Sequence, residues 1–212
     1  MRQVSFTQMK DGTEADYRLL REAEGSHLAG TARRLLLALA RQAEDALAGY
    51  RITRLEHALQ SATRALRDGA DDDWLVSTLL HDLGDELAPQ NHDRFAAEIL
   101  RPFVREECTW VVEHHAAFQM YYYAHHYGWN RNQREQYAES PYYATCVEFC
   151  ERWDQSSFDP DYRSEPLDSF APIVERVFNR TAYVHDVLRG GVRLGLPPGR
   201  DVGAEPGQFR PA

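Results

Sequence analysis

The sequence predicts a single all-α domain. Apolar residues recur at three- and four-residue spacing along most of the chain, whereas the alternation typical of β-strands is scarce. Glycine and proline separate the periodic segments, and we find neither an internal repeat nor a convincing linker. With 212 residues, of which 43% are hydrophobic and 27% charged, the chain suits one globular domain with a sizeable core.

Two helices are predicted before residue 50, Asp16–Ala23 and His27–Leu47, with the break between them at Gly25. The second is rich in Ala, Leu and Arg, which are good helix formers. The polar, turn-like segment from Thr7 to Thr13 precedes them. We interpret residues 1–25 as an amino-terminal arm with the first helix, and as a possible lid.

Three helices are predicted in the middle of the chain. The first ends at Asp68-Gly69, three aspartates precede the second and favour its amino terminus, and Pro102 limits the third. They are Ile52–Leu66, Trp74–Leu80 and a helix from Asn91 or His92 to Leu100.

Five further helical segments follow, and a tail over residues 191–212 that is rich in Gly and Pro is expected to be weakly ordered. The segments are Val104–His115, Tyr121–Tyr127, Pro141–Trp153, Phe170–Phe178 and Tyr183–Arg189.

Charge and composition exclude several classes of protein. The net charge is −9 and no basic block stands out, which argues against nucleic-acid binding. No apolar run approaches the ~20 residues of a membrane span, and the first residues lack the apolar core of a secretory signal. Three cysteines are too few for a disulfide framework, so we expect a cytoplasmic protein whose thiols are buried. The sequence leaves open whether it is a monomer or a homodimer.

Histidines and aspartates form the pattern that points to chemistry. Seven of the nine histidines fall between residues 57 and 126. Imidazoles and carboxylates that several helices direct inward are how a helical bundle builds a metal centre. Four imidazoles and two carboxylates are enough ligands for two metals such as Fe or Mn. The predicted ligands are His57, His81, Asp82, His92, His114 and Asp154.

The His114-His115 doublet is ambiguous, because both residues could face inward with Val111. For a second doublet, His125-His126, we favour a place in a partly buried aromatic wall. Each ligand taken singly has a structural explanation as well, and only the set as a whole carries the prediction.

The segments around these residues resemble the HD-domain superfamily: LEHALQSA, TLLHDLGDEL, NHDRFAAEIL, VVEHHAAF and ERWDQ. The two intervening histidines resemble its dinuclear branch, which includes myo-inositol oxygenase and the diiron oxygenases that cleave hydroxylated aminophosphonates. The run over residues 5–183 is similar to a bacterial family labelled predicted HD phosphohydrolase. This resemblance implies an HD-domain helical bundle over residues 26–190 with a dinuclear metal centre in its core, bridged by Asp82.

The resemblance supports two chemistries. The preferred one is a non-haem oxygenase with two Fe ions in the mixed-valence Fe2+/Fe3+ state, which uses O2 to cleave a small polar metabolite oxidatively. The alternative is a dinuclear phosphohydrolase, in which metals activate water and arginines such as Arg54, Arg64 and Arg152 hold the phosphate ester. A metal-bound regulatory module is a third possibility.

Four residues are candidates for substrate binding: Lys10, Gln60, Gln119 and Tyr123. Gln60 lies one turn from His57, and Tyr123 belongs to an aromatic stretch whose rings could hold an ammonium group. The phosphonate-cleaving relatives place a lysine shortly after the last histidine, where Phe118 and Gln119 stand here. Lys10 is the only lysine in the chain, so the motifs indicate the metal centre more firmly than the substrate.

Overall fold

The computed structural model describes residues 2–44 and 49–188, and this part of the chain forms helices and turns without a β-strand. The predicted all-α class is confirmed. The α-helices are α1 (Glu14–Ala29), α2 (Thr31–Arg41), α3 (Arg54–Arg67), α4 (Asp72–Leu80), α5 (His92–Leu100), α6 (Glu106–Tyr123), α7 (Tyr143–Phe149), α8 (Leu167–Phe178) and α9 (His185–Leu188). Short 3₁₀ turns cover Met9–Asp11, Ala124–Tyr127 and Arg131–Tyr137, and a π-helical turn, Cys150–Asp154, extends α7.

Helix α4 lies at the centre of the bundle. Every residue from Asp73 to Leu80 is buried, as expected for a helix that is covered on all sides. It packs against α3, α6 and α8, while α5 lies along α6. The core includes the rings of Trp74, Phe149 and Trp153, with the two tryptophan rings edge to face at 5.8 Å.

Polar caps fix where the helices that carry the site begin. The Thr53 hydroxyl accepts a hydrogen bond from the Glu56 backbone N–H, and the Glu56 carboxylate accepts one from the Thr53 backbone N–H. This capping box begins α3 one turn before His57. At α4, the Asp71 carboxylate accepts a hydrogen bond from the Trp74 backbone N–H.

The break between the first two helices was wrongly predicted. Helix α1 continues through Gly25 and ends at Gly30, whose N–H donates to the carbonyls of His27 and Leu28. The Arg34 guanidinium also donates to the His27 carbonyl at 2.7 Å, so the last carbonyls of α1 are satisfied at Gly30. Gly25 has no neighbour within 4 Å of the place a Cβ would occupy, and an exposed helix tolerates a glycine there.

Several other boundaries differ from the prediction. One helix, α6, runs through the predicted gap between His115 and Tyr121, because buried side chains continue along it as far as Phe118. Helix α2 ends at Arg41, and residues 45–47 of the predicted His27–Leu47 helix lie outside the described residues. Part of the predicted last helix and the whole tail over residues 191–212 also lie outside them.

Within the described part, no helix is both long and apolar enough to cross a membrane.

Candidate metal centre

Five structural elements direct four imidazoles and two carboxylates to one place. Asp154 comes from the end of the π-helical turn, a kind of helical irregularity that is frequent at functional sites. The cluster consists of His57 from α3, His81 and Asp82 from the turn after α4, His92 from the start of α5, His115 from α6, and Asp154.

The first half of the cluster is buried. The Nε2 atoms of His57 and His81 are 3.2 Å apart, and Asp154 Oδ1 lies 3.3 Å from the first and 3.7 Å from the second. Asp82 Oδ2 is 3.4 Å from each of these nitrogen atoms. The ligand atoms of His57, His81 and Asp154, which are of types that bind divalent metals, all lie within 4.8 Å of one another.

The second half uses the other oxygen of the same carboxylate. Asp82 Oδ1 lies 3.1 Å from His115 Nε2 and 3.4 Å from His92 Nε2. Asp82 thus presents one oxygen to the His57–His81 pair and the other to the His92–His115 pair. This is the arrangement that a carboxylate bridging two cations would need.

Each imidazole is oriented by a backbone carbonyl. The Nδ1 atoms face carbonyl oxygens at 2.7–3.4 Å, in the pairs His57–Ser157, His81–Thr78, His92–Pro89 and His115–Val112. Because a carbonyl oxygen only accepts, Nδ1 carries the proton and the neutral ring turns the lone pair of Nε2 into the cluster. All four rings are thus oriented so that Nε2 could bind a metal.

Two observations inside the cluster call for a cation. The Nε2 atoms of neutral His57 and His81 would face each other with lone pairs 3.2 Å apart. Asp154 Oδ2 is buried and has no hydrogen-bond partner among the described residues. A cation between these atoms would satisfy both, and a set of neutral imidazoles and carboxylates suits Fe or Mn.

The electrostatics of the protein alone agree with this conclusion. Burial is the largest influence on the pKa of His57, His81 and His115 and lowers it, but the carboxylates of Asp82 and Asp154 outweigh burial, so the pKa of each imidazole is raised. Burial raises the pKa of both carboxyls, yet the histidines reverse this and lower it. The cluster attracts positive charge, and bound metal ions would displace its protons.

The structure corrects one predicted ligand. His114 lies outside the cluster, where its ring stacks on Trp110 at 4.2 Å and its Nδ1 is 2.8 Å from the Trp110 carbonyl. His115 takes the predicted position because α6 turns it to the buried side, in line with Cys108 and Val112. The spacing of these residues could have separated the two histidines in the sequence.

A cavity of about 470 Å³ opens onto the cluster. Its wall contains Gln119 and Tyr123, two of the four predicted substrate-binding residues. Phe158 stacks on the His57 ring with centroids 4.5 Å apart and on the Tyr50 ring at 5.3 Å. The remaining lining residues are Ile52, Thr53, Arg54, His57, Asp82, Asp85, His92, His115, Ala116, Tyr122, Tyr127, Asp154 and Gln155.

The other two predicted substrate-binding residues lie elsewhere. Gln60 is buried and its amide is used on the backbone of Asp159, where Nε2 donates to the carbonyl at 2.8 Å and Oε1 accepts from the N–H at 3.2 Å. Lys10 is exposed in the arm and is not part of the cavity wall. The predicted lid is therefore not in contact with the cavity in this structure.

The arginines considered as phosphate ligands are engaged with protein groups. Arg54 lines the cavity and forms an ion pair with Asp85, which also lines it. Arg64 donates to the Ser156 carbonyl at 2.8 Å and lies over the Tyr162 ring. Arg152 pairs with Asp68. The pairs of Arg54 with Asp85 and of Tyr50 with Phe158 were missed in the sequence, where nothing in their spacing links them.

A helical bundle that gathers this cluster from five elements has the ligand set of a metal-binding helical domain. Comparison with known proteins agrees with this description: a model described as the HD domain matches residues 54–154. This region begins at α3 and ends at Asp154, and so includes the whole cluster. Residues 54–154 are therefore similar to the HD domain.

One curated relative is 30% identical over 92 residues, which cover 38% of this chain and 47% of the relative. It is a [1-hydroxy-2-(trimethylamino)ethyl]phosphonate dioxygenase (glycine-betaine-forming) from Leisingera caerulea. The chain therefore matches about half of that protein's length.

Proposed function

We propose that this protein is a non-haem diiron oxygenase that acts on a small polar metabolite. The observation that carries the proposal is the position of Asp82, whose two oxygens face two separate pairs of imidazoles. The similarity to a dioxygenase supports the oxidative chemistry. The predicted cytoplasmic location is compatible with this function, and the proposal does not depend on it.

Under this proposal, His57, His81 and Asp154 would hold one iron, His92 and His115 would hold the other, and Asp82 would contribute one oxygen to each. The bound iron pair would supply O2 binding and would pass electrons from the substrate, which is oxidised, to O2, which is reduced. The carbonyls of Ser157, Thr78, Pro89 and Val112 hold the proton of each neutral imidazole on Nδ1, so that Nε2 presents its lone pair to the cluster.

The chain's other residues shape the place where the substrate binds. Phe158 and Tyr50 line the His57 side of the cavity with stacked rings. The Gln119 amide donates to Asp154 Oδ1 at 2.9 Å and holds this carboxylate in place. Because His92 and Asp82 are partly exposed, the second half of the cluster is open to a ligand from the cavity.

The oxidative proposal is favoured over phosphate-ester hydrolysis by the state of Arg54. A hydrolase of this kind needs a cation beside the metals to hold the phosphate. The arginine in the cavity wall is ion-paired with Asp85, so its charge is already compensated.

The test is metal analysis combined with electron paramagnetic resonance on protein purified anaerobically and then partly oxidised. We expect about two irons per chain, as the ligand count requires, a coupled Fe2+/Fe3+ signal, and O2 uptake with a substrate from a panel of small hydroxylated anions. Absence of a coupled iron signal after iron reconstitution, with hydrolysis of phosphate esters by the Mn- or Zn-loaded protein, would refute the oxidative proposal.

Two adjacent histidines provide a matched pair of variants. His115→Ala should lose the iron of the second half and the coupled signal. After this substitution only His92 and one oxygen of Asp82 would remain there as ligands. His114→Ala should keep both irons, because this ring packs on Trp110. Loss of iron from the His114 variant with retention by the His115 variant would overturn the assignment.

A further inference from the structure

Gln119 is positioned to act on two groups at once. It lies one helical turn after His115, lines the cavity, and donates a hydrogen bond from Nε2 to Asp154 Oδ1 at 2.9 Å. A carboxylate oxygen only accepts hydrogen bonds, so the NH2 group of the amide must face Asp154. The orientation of the amide is thereby fixed, and Oε1 points away from that carboxylate.

The amide oxygen has no partner in the described part of the protein. Gln119 Oε1 is buried, and no donor among the described residues reaches it. A buried acceptor without a hydrogen bond costs free energy, because the water that it lost on burial is not replaced. A bound molecule that brings a donor to this oxygen would recover that free energy, whereas a bound molecule with a methyl group or a second anion there would not.

The charges around the cavity favour the same kind of ligand. Arg54 is ion-paired with Asp85, and Asp82 and Asp154 contribute two more carboxylates to the wall. Apart from the metal ions themselves, this cavity is better suited to hydrogen-bond donors than to anions.

We propose that Gln119 determines substrate specificity: its Nε2 fixes Asp154, and its Oε1 accepts a hydrogen bond from a hydroxyl or ammonium group of the substrate. The substrate class is then a small molecule that binds the metals and carries such a donor within reach of Oε1. This inference rests on the proposed metal centre but is independent of whether the chemistry is oxidative or hydrolytic.

Three nearly isosteric probes test the donor: propionate, glycolate and glycine carry a methyl, a hydroxyl and an ammonium group, respectively, next to a metal-binding carboxylate. Their dissociation constants are measured by anaerobic calorimetry on the iron-loaded protein. We expect glycolate or glycine to bind wild-type protein at least about tenfold more tightly than propionate, which corresponds to one recovered hydrogen bond. The tighter of the two shows whether the donor is a hydroxyl or an ammonium group.

Two substitutions separate the roles of the amide. Gln119→Lys keeps an N–H donor for Asp154 but has no acceptor. This variant should retain both irons, and its roughly tenfold preference for glycolate or glycine over propionate should disappear. Gln119→Met removes both functions and should also weaken iron binding next to Asp154. The exposed Gln136, whose amide donates to the Gln133 carbonyl, provides the control Gln136→Met, which should match wild type.

The proposal is overturned if wild-type protein shows no preference for glycolate or glycine, including the case in which none of the probes binds. It is equally overturned if Gln119→Lys keeps the wild-type preference. Iron content, determined on the same samples, tests the proposed metal centre separately, since a wild-type chain that takes up no iron would refute that centre and not the role of the amide.

Discussion

The buried ion pair between Asp68 and Arg152 offers a sharp test of how the fold supports Asp154. Asp68 ends α3, and its carboxylate accepts hydrogen bonds from the Arg152 guanidinium and, at 2.8 Å, from Trp153 Nε1. Both donors immediately precede Asp154 in the π-helical turn. We expect Asp68→Ala to destabilise the protein because it leaves a buried guanidinium and a buried indole N–H without this partner.

The magnitude follows from burial. The Asp68 and Arg152 side chains are only 5% and 11% exposed, and breaking such a pair costs roughly 3–5 kcal/mol. Glu148 remains 3.6 Å from Arg152, which favours the lower limit, about 3 kcal/mol. For a chain of this size, that loss lowers Tm by roughly 6–12 °C. Asp68→Asn should lose less, because it keeps an acceptor for Trp153.

The matched control is the exposed pair of Asp72 and Arg176. These side chains are 35% and 57% exposed, and a pair of this kind contributes about 1 kcal/mol or less. The assay is thermal and urea unfolding of the metal-free and iron-loaded proteins. Iron should stabilise the Asp68 variants less than wild type, because the turn that carries Asp154 is loosened. Equal Tm shifts for Asp68→Ala and Asp72→Ala would refute the reasoning.

Three more predictions concern other parts of the structure. Gln60→Met should lower the free energy of unfolding by about 1–3 kcal/mol in urea titrations, because it loses both hydrogen bonds to the Asp159 backbone while it conserves volume; an unchanged midpoint would contradict this role. Burial raises the pKa of the Cys108 and Cys150 thiols well above its usual value, so thiolate should be scarce at pH 8 and alkylation by iodoacetamide, followed by mass spectrometry, should be far slower than in urea. Hydrogen bonds from Thr13 and Ser5 lower the pKa of Asp16 below its usual 3.8, so this group stabilises α1 above pH 3.8 and loses that effect as pH falls through its folded-state pKa. Amide exchange in α1 of Asp16→Asn should therefore exceed that of wild type at pH 7, and the difference should vanish in strong acid.

The fold class could be predicted because it depends on local patterns. Helical periodicity and caps such as Thr53 with Glu56 are properties of neighbouring residues, and they placed α3 and α4 within two residues of the observed bounds. The break at Gly30 was missed because both Gly25 and Gly30 interrupt the same periodic segment. The choice between them depends on the hydrogen bonds that Gly30 and Arg34 make with His27.

The candidate site was predictable in its residue types and less so in its geometry. The order of histidines and aspartates indicated the cluster, but the choice of His115 over His114 depends on which side of α6 meets α4 and α5. The role of Gln60 depends on a loop 99 residues further along the chain. A short-range pattern carries no information on such a contact, so the substrate-binding residues were the least predictable part.

The hydrogen bonds of the histidines explain why the cluster needs the whole fold. Three of the four Nδ1 partners, the carbonyls of Thr78, Pro89 and Val112, lie three residues before their histidine, so each of these rings is oriented by its own turn. His57 is different, because its partner is the Ser157 carbonyl, 100 residues away in the loop after Asp154. Gln60 and Arg64 of the same helix hold this loop as well. The His57–Asp154 half of the cluster therefore forms only when the loop docks on α3, whereas the histidines of the other half are oriented locally. We infer that loosening this loop, as in Gln60→Met, weakens iron binding at His57 and Asp154 before it affects His92 and His115.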